Sequence, residues 1–73
     1  MGALTAILAK GAARHVDRLR GEVAEARAAE ARMIAEAWRE HARLPEHYWH
    51  ARWHAEQRLR SAERMLEGLE NPQ

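Results

Sequence analysis

The chain has no cysteine and no phenylalanine, and among its 73 residues there are only two prolines, four glycines and one lysine. Without cysteine there is no disulfide staple and no thiolate metal site. Redox compartment is then left open, with the cytoplasm as the default expectation. An excess of one charge is also missing. Twelve basic and eleven acidic residues interleave to a formal +1. No basic patch emerges, so nucleic-acid binding is not expected. No apolar run approaches the ~20 residues that a membrane-crossing helix needs. The start, Met1 to Arg14, lacks a charged region ahead of its short apolar part, which argues against a signal peptide.

Catalytic groups are sparse too. The hydroxyl side chains are Thr5, Tyr48 and Ser61, and none has glycine-rich surroundings. There is no phosphate loop, and two helices offer no concave pocket of their own. An enzyme is not expected. β-Branched residues are few: Thr5, Ile7, Val16, Val23 and Ile34. Alanine, arginine, glutamate and leucine fill most of the chain, a composition that favours helix over sheet. Arginine with so much alanine also matches the coding of a GC-rich genome, such as that of an actinobacterium or one of its phages.

Apolar residues recur as Leu4, Leu8, Ala12, Val16, Leu19, Val23, Ala26, Met33, Ile34 and Ala37. Spacings of three and four make a helical seam. Val16, Val23, Glu30 and Ala37 share one heptad position, and Ala12, Leu19, Ala26 and Met33 share the other. Glu30 is the one charge in that run. The register survives Gly11 and Gly21, although each costs ~1 kcal/mol in a helix interior. The pattern therefore predicts one helix over about 3–43. The competing reading ends a first helix at Arg20, capped by Gly21, and gives three helices.

Leu44-Pro45 stops the pattern, since proline disfavours helical backbone in the residue before it and suits the first turn of a new helix. A second helix is predicted over about 45–69, folding back antiparallel after a short connection. Its seam is Tyr48, Ala55, Leu59, Ala62, Leu66 and Leu69, interrupted by Arg52. Arg52 can lay its stem on apolar surface and reach out with its head. Asn71-Pro72 ends it. Pairs such as Arg32–Glu36 and Glu56–Arg60 read as solvated helix surface. The fold expected is all-α: a single domain over 1–73, an antiparallel helical hairpin with coiled-coil packing that assembles into a helical bundle.

One hairpin leaves surface over. A chain this short buries only roughly 60% of what its unfolded form exposes and often needs a partner. About forty residues of helix span roughly 60 Å, against roughly 37 Å for about twenty-five. Helix two then reaches only to about Val16 or Leu19, and Leu4, Ile7 and Leu8 have no cover. A stripe of Ala24, Ala28, Ala31, Ala35, Trp38 and Ala42 lies on another face. It is either a close-approach surface or plain helix-forming filler. Trp49 and Trp53, four apart, share a face away from the seam. They either fold over the hairpin tip with Trp38 or, with Arg52, form a contact site of the residue types that dominate interfaces.

Histidine is concentrated near the turn. His47, His50 and His54 are spaced three and four apart, and a pair four apart on a helix can chelate a transition metal such as zinc. The plainer reading is a polar stripe, and another is a pH-sensitive interface.

The leading expectation is a small non-enzymatic assembly or adaptor protein. It is a homo-oligomer through Leu4, Ile7, Leu8, Ala28, Ala31 and Ala35. It presents Trp38, Trp49, Arg52 and Trp53 to a larger protein. A phage virion component and a phage-made binder of a host factor both fit. A His47/His50/His54 metal or pH module is the alternative. Peripheral membrane binding through Leu4, Ile7, Leu8 and the tryptophans ranks last.

Overall fold

The computed structural model describes residues 2–71 as two helices packed antiparallel. Helix α1 runs Ala3–Glu40 and α2 runs His50–Glu70. The molecule is an extended hairpin, 58 × 17 × 11 Å. α1 is unbroken through Gly11 and Gly21, so the two-helix reading holds and the three-helix one does not. Pro72, expected to help end α2, lies outside the described residues.

The core is narrow. Val16 and Leu19 of α1 pack with Ala62 of α2, Leu59 and Leu66 lie against that cluster, and Val23 and Ala55 are buried further along the seam. Ala55 and Ala62 are one heptad apart. Alternation of alanine and leucine on α2 lets small and large side chains interdigitate with the valines and Leu19 opposite, as coiled-coil seams require.

The connection departs from the expected boundaries. α1 stops at Glu40 rather than about residue 43. His41 takes the left-handed conformation at φ 53°. The Ala42 N–H donates to the Ala37 carbonyl at 2.9 Å and the His41 N–H to Trp38 at 3.4 Å. This is the Schellman pattern, which satisfies end carbonyls and commonly uses glycine at the left-handed position. Here a histidine fills it, with the strain that a side chain brings there. Pro45 then opens a run of tight turns rather than a helix. The Tyr48 N–H donates to the Pro45 carbonyl at 3.2 Å and the His50 N–H to His47 at 3.0 Å. Regular α-helix begins only at His50.

The nine residues between the helices slide the register. The ion pairs Glu30–Arg52, Arg27–Glu56 and Arg20–Glu63 join residues facing one another across the hairpin. Extending that ladder sets Leu69 level with Ala13 and Arg14. Helix α2 thus reaches further along α1 than the sequence estimate of Val16 or Leu19. Leu4, Ile7 and Leu8 still project past the seam, 70%, 65% and 53% exposed.

Candidate functional site

Three surfaces carry the residues that the sequence singles out. The first is a charged lattice at mid-hairpin. Arg52 Nε donates to Glu30 Oε2 at 2.6 Å, and Arg52 Nη1 donates to Glu56 Oε1 at 2.8 Å. Arg27 closes the lattice from α1, donating through Nη2 to Glu56 Oε2 at 2.8 Å. Glu30 and Arg52 are the two residues that interrupt the apolar seams of their respective helices, and each is the other's partner. Hydrogen bonding to Glu30, ahead of that to Glu56, raises the Arg52 guanidinium above its ordinary value. The hydrogen bond from Arg27, and after it that from Arg52, holds the Glu56 carboxyl below its ordinary value, against the opposing effect of desolvation. Glu56 therefore belongs to the helix interface, not to a solvated pair with Arg60. Among the described residues, Glu30 Oε1 is buried without a hydrogen-bond partner. The complementary interruptions were visible in the sequence, but pairing them needed the register.

The second surface is the loop end, where the tryptophans part company. Trp49 and Trp53 meet edge to face with centroids 6.5 Å apart, the arrangement that ring quadrupoles favour. His50 and His54 pack against them, and the four rings line one shallow groove. Trp38 stands elsewhere, 78% exposed, over a second groove that it shares with Ile34, Ala37, His41, Ala42 and Leu44. The three tryptophans do not close over the tip together. Ala28, Ala31 and Ala35 are exposed on α1.

The histidines divide as well. His50 and His54 sit one turn apart on α2, their Nε2 atoms 3.0 Å from each other. His47 lies in the turn before α2, its ring centroid 6.1 Å from that of His50. Among the described residues no group of three or more histidine or acidic side chains is placed to hold one ion. The three histidines are therefore not brought to one point, while His50 and His54 are adjacent.

The third surface is the open end, where α1 begins and α2 finishes. Ile7, Leu8, Gly11 and Ala12 of α1 and Met65 and Leu69 of α2 line an apolar groove. Met65, at the edge of its seam, is exposed there with Leu4, Ile7 and Leu8.

Fold and surfaces together define an extended two-helix hairpin with apolar side chains left uncovered at both ends. Among the described residues no helix is long and apolar enough to cross a membrane. No family model matches the chain, and the comparisons with curated proteins and with solved structures found no match either.

Proposed function

We propose that this chain is a non-enzymatic assembly module. Copies associate through the open end, and the loop end, with Trp38, Trp49 and Trp53, is left to engage a larger protein. The observation that carries this reading is the cluster of Leu4, Ile7, Leu8 and Met65, all exposed and all at one end of a molecule whose buried core, among the described residues, is five side chains.

Charge is compatible with a second copy as the cover. From Ala3 to Arg14 the charges of α1 are Lys10 and Arg14, with no acid. The last turns of α2 carry Glu63, Glu67 and Glu70 against Arg64. A two-fold arrangement of open ends lays the basic start of one α1 beside the acidic end of the other α2.

Magnitudes set the expected strength. Covering much of these four side chains on both copies contributes on the order of 10 kcal/mol. Association costs about 4–15 kcal/mol in lost freedom. At the low end of that cost about 6 kcal/mol is left, so the dimer expected is a weak one, with a dissociation constant of roughly tens of micromolar or more. Light scattering behind a sizing column, run from about 1 to about 200 μM, tests this. The expected result is a mass rising from the 8.4 kDa of one chain toward twice that. Ile7→Glu with Met65→Glu should hold the lower mass at every concentration while leaving helicity intact. A wild-type mass of one chain at the highest concentration overturns self-association.

A further inference from the structure

We propose that His50 and His54 form a bidentate site for a divalent transition-metal ion, with the cis geometry suited to copper(II) or nickel(II), at the start of α2. The site is independent of assembly at the other end of the hairpin.

The argument begins with the helix. α2 starts at His50, so His50 and His54 are held one turn apart on one face. Their rings meet nearly at right angles, 77° between planes and 4.2 Å between centroids. The Nε2 atoms converge to 3.0 Å. Two imidazole nitrogens at about 2.1 Å from a common ion and this far apart subtend roughly 90°, whereas a tetrahedral pair would stand about 3.3–3.4 Å apart. A right angle between neighbouring ligands is that of square-planar and tetragonal coordination, the preference of copper(II) and nickel(II) with nitrogen donors. Without metal, one Nε2–H donates to the other Nε2. An ion displaces that proton and draws both Nε2 lone pairs toward itself.

The surroundings fit a site open to water. Both histidines are exposed, so an ion keeps water on its remaining positions. His47 stays outside the first coordination sphere, as its ring is too far from the pair. α2 also starts without a side-chain cap: Trp49 at the cap position makes no such hydrogen bond, and no acidic residue occupies the first turn. A chelate across His50 and His54 ties together the first two turns at an end that has no side-chain cap. The helix dipole opposes a cation there, but exposure to solvent screens that effect.

The neighbouring indoles report binding. Trp49 lies 5.8 Å from His50 and Trp53 lies 5.1 Å from His54, centroid to centroid, close enough for a bound copper(II) ion to quench both. The test titrates copper(II) chloride, and separately nickel(II) chloride, into the untagged full chain near pH 7.5. It follows tryptophan emission and the melting temperature. Saturation near one ion per chain is expected, with a rise in melting temperature. His50→Ala and His54→Ala should each weaken binding at least tenfold while keeping wild-type helicity. His47→Ala, His41→Ala and His15→Ala should bind as wild type. Equal affinity in wild type and His54→Ala overturns the proposal, as does loss of binding in His47→Ala with retention in His54→Ala.

Discussion

Leu8 and Leu19 lie on the same stripe of the same helix, yet one is 53% exposed and the other 4%. Nothing in their local sequence separates them. The difference is what stands opposite. Leu19 faces Ala62 on α2 and packs in the core with Val16. Leu8 is beside the end of α2, where, among the described residues, Met65 and Leu69 share an open groove with it. In this hairpin burial is set by where the shorter helix ends, not by the pattern of the longer one. A stripe that continues past its cover is a surface in waiting, which is why the open end carries the functional proposal.

Truncation of each leucine is the sharpest way to break that contrast. Leu19→Ala removes a core side chain from a cluster with few others and should cost about 2–5 kcal/mol, enough to leave much of the population unfolded near room temperature. Leu8→Ala should cost under about 1 kcal/mol, provided the protein is dilute enough to be a single hairpin. Urea unfolding followed by circular dichroism compares them. Equal losses would mean that the open end is already covered within one chain.

The charged lattice makes a second, smaller contrast with the apolar core beside it. Arg52→Ala leaves the Glu30 carboxylate half-buried without its partner and should lower the urea midpoint clearly. Replacing both residues, Glu30→Met with Arg52→Met, should restore the midpoint or raise it, because a desolvated ion pair returns little beyond its own desolvation cost and Glu30 Oε1 is already unpartnered. If the double variant is less stable than Arg52→Ala, the lattice is a net source of stability rather than a device that fixes register.

The smallest expected change lies in the middle of α1. Gly21 is exposed, has helical backbone, and meets nothing within 4 Å when a Cβ is built on it. Gly21→Ala should stabilise the hairpin by about 0.5–1 kcal/mol, read as a higher melting temperature. A loss would show that the glycine serves close approach by another helix, and would sharpen the case for contact along that face.

Much of the fold was legible in the chain. The three-and-four spacing of Val16, Leu19 and Val23 marked the buried face of α1, and Ala55, Leu59 and Ala62 marked that of α2. Helical periodicity is a local property, so it needs no tertiary information. The overhang of Leu4, Ile7 and Leu8 followed from the unequal lengths. The boundaries at the turn were less legible. Pro45 signalled a stop, but the Schellman closure at His41 comes four residues earlier, and the turns over 45–50 hold back α2 until His50. A left-handed histidine carries no sequence signal of the kind glycine gives.

What the sequence determined by itself was helix, seam and the existence of a hairpin, because each rests on spacing along one chain. The tertiary structure alone decided the register. A seam specifies a face, whereas sliding one helix by a turn along another preserves that face. The length of the turn and the cross-helix ion pairs select one alignment from several. That selection joins Glu30 to Arg52. The course of the turn sets Trp38 apart from Trp49 and Trp53, and it leaves His47 outside the pair formed by His50 and His54.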